Sequence, residues 1–170
     1  MSDYQLRDAR DGDQAAILEL TLGAYREYAP ILGENYHFYE ESIVATLGDI
    51  GAAAQIVADD GGRVVGAALL YPPGTAFEAA EGMPKPVWPE VRLVAVPPSE
   101  RGRGIGKALV QECLRRARLD GCTGLALHTT DMMQVAMGMY ERMGFFRTPE
   151  FDFYPAPDFQ VKAYRFEFKD

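Results

Sequence analysis

Apolar residues along this chain alternate with polar ones in some stretches and recur every third or fourth position in others. The switches between these two periods mark out strands and helices. Tyr4 and Leu6 alternate with polar neighbours and predict a first strand. Asp11-Gly12-Asp13 turns from it into a helix carrying Ile17, Leu20 and Ala24, with Asp13 as the expected N-cap. Residues 25–39 are rich in aromatics, with Tyr28, Tyr36, His37 and Phe38 around Pro30 and Gly33. They lead into a second helical pattern, Ile43, Val44 and Leu47, so the region reads as helix, loop, helix. Residues 55–58 and 64–71 are strand-like and joined across Asp59-Asp60-Gly61-Gly62, the composition of a hairpin turn. The second of these runs is apolar through Val65, Ala67, Ala68, Leu69 and Leu70, as in a strand buried on both faces.

Prolines at 72, 73, 84, 86 and 89 make residues 72–89 a long loop. Loops of this length serve as binding loops or lids, or are disordered excursions. Residues 90–96 predict the next strand, and Ile105, Ala108, Leu109, Cys113 and Ala117 a helix over 105–119 that Gly121-Cys122 ends. Leu125, Leu127 and Thr129 alternate through a further strand, which with the preceding strand and helix implies a parallel pair with a right-handed crossover. Met132, Val135, Ala136, Met139, Tyr140 and Met143 then form a helical stripe, with the methionines as core filler and Gly144 as the stop. Phe145-Phe146 begins a strand, and residues 161–169 form the last, where Tyr164, Phe166 and Phe168 alternate with charged residues. Strands and helices intermingle along one repeat-free domain, residues 1–170, so the expected class is α/β with a mixed sheet.

Between the strand at 90–96 and the helix at 105–119 lies Arg101-Gly102-Arg103-Gly104-Ile105-Gly106-Lys107. A helix N-terminus offers unpaired N–H groups and the positive end of the macrodipole, and glycines let an anion approach the backbone. The stretch therefore reads as a phosphate cradle, with Arg101, Arg103 and Lys107 supplying charge. Two other phosphate loops fail on spacing. A P-loop needs a Gly where Arg101 stands and a Ser or Thr where Ala108 stands, and a dinucleotide fingerprint needs its third Gly at Lys107. Taken alone, a basic glycine-rich turn that only starts a helix remains the alternative.

Composition narrows the partners. The 170 residues are 48% hydrophobic and 25% charged, an ordinary globular balance, with a net charge of -8. An acidic chain is poorly suited to nucleic acid or anionic membrane, which draw on basic surfaces, so neither is expected as a partner. Arg101, Arg103, Lys107, Arg115, Arg116 and Arg118 are a local exception, suited to a small polyanion. No run approaches a membrane span and the start lacks an apolar signal core, so a cytoplasmic location is expected. Cys113 and Cys122 form neither a disulfide framework nor a zinc spacing, and no metal is expected.

The cradle, together with Ala136, Tyr140, Glu141, Arg142, Met143, Gly144 and Phe145, resembles the GCN5-related N-acetyltransferase (GNAT) superfamily, whose members move acetyl from acetyl-CoA to an amine. The order of elements fits along nearly the whole chain. Arg101, Gly104 and Gly106 match the family's pyrophosphate motif. The resemblance implies a central mixed sheet with helices on both faces and acetyl-CoA as cosubstrate, and it leaves a homodimer open. It further implies that Val94, Ala95 and Val96 offer backbone hydrogen bonds to pantetheine and that residues 101–107 hold the pyrophosphate. One departure is Met133, which stands where many members carry an Asn seven residues before the helix tyrosine.

An alkyl ammonium with pKa near ~10.4 must lose a proton before its nitrogen can attack a thioester, so a base is required. By the same resemblance Glu90, six residues before Val96, is the candidate; its alternative is a strand carboxylate paired with Arg92 or Lys85. His128 is the reserve. Tyr140 is the candidate acid toward the departing thiolate, its alternative a core tyrosine. Glu34, Glu40, Glu41, Glu78 and Glu81 point to a cationic acceptor. A non-catalytic acyl-CoA-binding protein on the same fold is the second reading.

Overall fold

The structure is a computed structural model that describes residues 3–75 and 86–169. Glu78, Glu81 and Lys85, with most of the expected 72–89 loop, lie outside the described residues. At the base of that loop Gly74 N–H donates to the Pro86 carbonyl at 2.9 Å.

The chain divides into two compact units, residues 1–70 with 93–112 and residues 71–92 with 113–170. The first holds β1 (Gln5–Asp8), β2 (Ala54–Asp60) and nearly all of β3 (Arg63–Tyr71), paired antiparallel in that order. The β2–β3 turn falls at Gly61-Gly62, as the hairpin composition predicts. From Val65 onward every residue of β3 is buried, which accounts for its unbroken apolar run. Helix α1 (Gln14–Tyr25) buries Ile17, Leu20, Thr21, Ala24 and Tyr25. Asp13 does not cap it with its side chain. The carboxylate instead accepts from Arg10 N–H at 2.7 Å and from Arg7 at 2.6 Å, because a guanidinium on neighbouring β1 is a stronger partner than a neutral amide. The aromatic region is tighter than a loop. The 3₁₀ turn Arg26–Tyr28, the single turn α2 (Ala29–Leu32) and the 3₁₀ turn Gly33–Asn35 lead into α3 (Tyr36–Gly48). Of the predicted stripe on α3 only Ile43 is buried, and Val44 is exposed.

The second unit is built on β5 (Gly124–Thr129). The first residues of β4 (Glu90–Ala95) pair with it in parallel, as Glu90↔Ala126 and Val91↔Leu127. β8 (Phe159–Glu167) pairs with β5 antiparallel, and β6 (Phe146–Arg147) and β7 (Phe153–Ala156) pair with β8. The sheet is therefore mixed, as expected. Strand β7 was not expected, since Pro155 interrupts its pattern; a proline is admissible on so short a strand.

Helix α4 (Ile105–Leu119) has its predicted bounds and buries Ile105, Leu109, Val110, Cys113 and Ala117. Helix α5 (Gln134–Met143) starts later than its apolar stripe, and Gly144 ends it in the left-handed region. Val135, in its first turn, is 86% exposed, and Met132, Met139 and Met143 are half-buried, so the stripe is not the core face that its spacing predicts. Its inward residue is Tyr140, with Phe145 just past the helix.

Within the first unit α4 is set against β3 at Gly66. A Cβ there would stand 2.5 Å from Ile105 Cγ2 and 3.4 Å from the Ala95 carbonyl oxygen. Gly66→Ala should therefore push the start of α4 off β3 and cost about 1–3 kcal/mol, the usual range for overpacking a core. Urea unfolding measures it; an unchanged midpoint would show that α4 does not depend on this approach.

Candidate active site

After β4 the prolines at 97 and 98 rule out further strand pairing, and a 3₁₀ turn, Pro98–Glu100, leads into the glycine-rich loop. Gly102 and Gly104 have φ of 81° and 74°, which a side chain would strain. A Cβ at either position would meet nothing within 4 Å, so the space above the loop is open. The Ala108 N–H donates to the Gly104 carbonyl at 3.0 Å. The N–H groups of Ile105, Gly106 and Lys107 precede that bond and have no acceptor within the helix. Lys107 is exposed and, among the described residues, unpaired.

The two arginines of the loop are differently placed. Arg101 directs Nη1 to Glu27 at 2.5 Å and Nε to the Val96 carbonyl at 3.3 Å. Arg103 bonds Glu100 and reaches Asp60 at 2.9 Å, and Glu100 also accepts from Arg63 at 2.5 Å. The hydrogen bonds from Arg63 and then Arg103 hold the Glu100 carboxyl below its ordinary range. Both guanidinium groups thus tie the loop to its own unit, leaving the backbone N–H groups of the helix start and the exposed Lys107 uncommitted. On the strand side, the Val94 carbonyl accepts from Tyr25 Oη at 3.3 Å, and Ala95 is buried. Leu93 has φ 48°, an uncommon conformation for a branched side chain, and the in-out alternation of β4 is lost from Arg92 to Val94.

In the second unit the β4–β5 register sets Glu90 opposite Ala126, two positions before His128 on the same face of β5. Glu90 is 2% exposed. Its Oε1 accepts from Arg92 Nε at 3.0 Å and lies 3.1 Å from His128 Nδ1, and Oε2 lies 3.4 Å from Arg92 Nη2. Burial by itself would raise the carboxyl pKa, but the hydrogen bond and charge of His128, with Arg92, outweigh it and leave the group below its ordinary value. The expected alternative for Glu90, pairing with Arg92, is thus present, and the reserve base sits on the same oxygen. The Arg92 guanidinium in turn lies 4.3 Å above the Tyr71 ring.

His128 Nε2 lies 3.1 Å from the Phe151 carbonyl, and its ring meets Phe153 edge-on at 5.3 Å. Phe151 ends the 3₁₀ turn Pro149–Phe151, which the next residue pins. Asp152 accepts from Arg147 at 2.7 and 2.6 Å and from Ala163 N–H at 2.7 Å. Burial opposes the charge of Asp152, but Arg147 and the Ala163 N–H hold its pKa below the usual range. Sequence reasoning missed Tyr71, Phe151, Asp152 and Phe153. Only the i, i+2 spacing of Glu90 and Arg92, one face of a strand, was a readable signal.

Tyr140 is 6% exposed, with its ring edge-on to Phe145 at 5.8 Å. Met133 precedes α5 and its side chain caps nothing. No helix of the described residues is long and apolar enough to cross a membrane, and among them no three or more His, Cys, Asp or Glu side chains gather into a group that could hold a metal ion.

The sequence model of the acetyltransferase (GNAT) family matches residues 16–145. Glucosamine 6-phosphate N-acetyltransferase of Trypanosoma brucei brucei is 31% identical over 150 residues, covering 84% of this chain and 89% of that protein. Among solved structures, a histone acetyltransferase HPA2 and related acetyltransferase from Corynebacterium glutamicum superposes with a TM-score of 0.72 at 24% identity, over 97% of this chain and 96% of that one. A GNAT family acetyltransferase from Brucella melitensis, solved in complex with acetyl-CoA, gives 0.63 at 24% identity over 100% and 91%.

The Glu90 cluster fixes a pH dependence. A carboxyl whose pKa is lower folded than unfolded contributes stability above the unfolded value and loses it as pH falls through the folded one. Stability should therefore drop as pH falls below about 4.5. Glu90→Gln should flatten that acid slope and cost about 3 kcal/mol at neutral pH, because it leaves the half-buried Arg92 guanidinium without its counter-charge. Denaturant unfolding from pH 3 to 7 measures both; an unaltered slope would remove Glu90 from the carboxylates, Glu100 and Asp152 among them, that produce it.

Proposed function

This chain belongs to the acetyltransferase (GNAT) family, and from that premise we propose that residues 1–170 act as one domain that transfers acetyl directly to a primary amine, with Glu90 as base and Tyr140 as acid. The chain is an N-acetyltransferase and acetyl-CoA is its cosubstrate. The observation that carries the reading is the loop itself: glycines at positive φ, open space above them and a helix N-terminus with unpaired N–H groups. A pyrophosphate would accept from Ile105, Gly106 and Lys107 N–H and meet the Lys107 charge. Extended backbone at Val94, Ala95 and Val96 would pair with the amide-bearing arm of the coenzyme.

Glu90 takes the proton from the ammonium of the acceptor. Because it is 2% exposed, the transfer runs through a water. The freed nitrogen forms a bond to the acetyl carbon as the carbon–sulfur bond breaks. The departing thiolate, of a thiol with pKa near ~8.5, takes the proton of Tyr140, near ~10 in an ordinary phenol, and the second proton that the nitrogen sheds on becoming an amide returns through water to the phenolate. The products are an amide and free coenzyme A. The relative named for glucosamine 6-phosphate supports a small-molecule amine, and the acidic side chains of α3 support a cationic one. The full engagement of the Glu90 carboxylate by Arg92 and His128 favours the second reading, acyl-CoA binding without turnover. Thiol release from acetyl-CoA with a panel of amines separates the two: acceptor-dependent release supports the transferase, and none across sugar amines, polyamines and peptides supports the binder.

Gly104→Glu places a negative charge where the phosphates would lie and should weaken acetyl-CoA binding at least ~100-fold by calorimetry, the scale of losing several charge-assisted hydrogen bonds. Equal affinity would remove the loop from the site. Tyr140→Phe keeps the ring and its packing, so a proton donor predicts a fall in kcat of about ten- to a thousand-fold with coenzyme affinity within a few fold. A core tyrosine instead predicts lost stability with near-normal turnover.

A further inference from the structure

Resting on the assignment of Glu90 as base, we propose that Glu90 and His128 act as one base holding a single proton between Oε1 and Nδ1, with His128 a positioning residue that works through Glu90. The Phe151 carbonyl can only accept, so His128 Nε2, 3.1 Å away, carries its hydrogen. In a neutral ring the lone pair then sits on Nδ1, aimed at Glu90 Oε1 at 3.1 Å. A lone pair facing a carboxylate oxygen is repulsive, and one proton placed between them converts the repulsion into a hydrogen bond. The pair thus takes up a proton while the carboxylate keeps its charge, a driving force that a solitary carboxylate beside Arg92 does not have.

The same geometry excludes His128 as an independent base, since both ring nitrogens are already directed at protein partners. The proton leaves the acceptor's ammonium, enters through the carboxylate and rests on the line between Oε1 and Nδ1; after transfer it returns to solvent. Groups facing the pair include Arg92 beside Glu90 on β4, with Tyr71 from β3 under its guanidinium. The turn at 149–151 contributes the Phe151 carbonyl and β7 the Phe153 ring, neither of which titrates. A coupled pair titrates with values that belong to the pair, so the acid limb of kcat reports both residues together.

The test is the pH profile of kcat with an alkyl amine, with an aryl amine as control because its nitrogen is neutral at working pH and needs no base. In His128→Gln the shared proton has no seat on Nδ1. The acid limb should move down by about one pH unit, and the plateau should fall about tenfold with the alkyl amine only. Arg92→Gln removes a cation and should move the limb the opposite way. A His128→Gln limb that moves up with that of Arg92→Gln would make His128 a mere charge and overturn the proposal; so would an unmoved limb, or an equal loss with the aryl amine. Glu90→Gln turnover equal to wild type with the alkyl amine would instead overturn the assignment of Glu90 itself. A measurement on the unaltered protein stands beside the variants: nitrogen-15 NMR of the chain's two histidines, His37 and His128. His128 should show a protonated Nε2 throughout and an Nδ1 that titrates on the limb of kcat, whereas protonation at Nδ1 alone would overturn the shared proton.

Discussion

A carboxylate with almost no contact with water stays charged only where other donors replace its hydration, and Glu90 sets that condition for the second unit. Arg92 supplies two N–H groups from the same strand face, and His128 is brought to Oε1 by the parallel β4–β5 register. Each neighbour needs its own support. Arg92 lies over the Tyr71 ring, and His128 is held by a carbonyl that Asp152 positions through Arg147 and the Ala163 N–H. Removing one partner of a buried charge typically costs about 3–5 kcal/mol, more than most single packing contacts, so the register, the turn at 149–151 and strand β7 are tied to the same requirement.

In the first unit the arginines carry structure as well as charge. Arg101 and Arg103 bond Glu27, Glu100 and Asp60, and these carboxylates explain how a basic loop persists in a chain of net charge -8. On the proposed reading, anion recognition falls to the directed N–H groups of the helix start, with Lys107 beside them. The N–H groups are fixed by the helix and cost no side-chain entropy when a ligand arrives, unlike a pair of long arginines. The Arg101–Glu27 pair is partly exposed and contributes little stability on its own; its effect is to orient.

The family match ends at residue 145, yet Asp152, Phe151 and Phe153 all lie beyond it. The residues that support His128 therefore come from the turn and strands that follow the matched segment.

The sequence by itself determined most of the element order, the bounds of α4, the hairpin at Gly61-Gly62 and the glycine-rich loop ahead of α4, because each rests on neighbours in the chain: a period, a turn composition, a glycine spacing. It also brought Glu90, His128 and Tyr140 forward separately. Local signals failed where burial depends on what lies opposite. Val135 and Val44 keep helical spacing but face solvent, and β7 forms against its own pattern because β8 is there to pair with it. That Arg101 and Arg103 bond carboxylates, that Leu93 takes a positive φ, and that Glu90, Arg92, His128 and Phe151 form one network were decided only by the tertiary structure. The physical reason is that a hydrogen bond or an ion pair is set by a separation of about 3 Å in space, and strand pairing brings to that distance residues as far apart in sequence as 90 and 128.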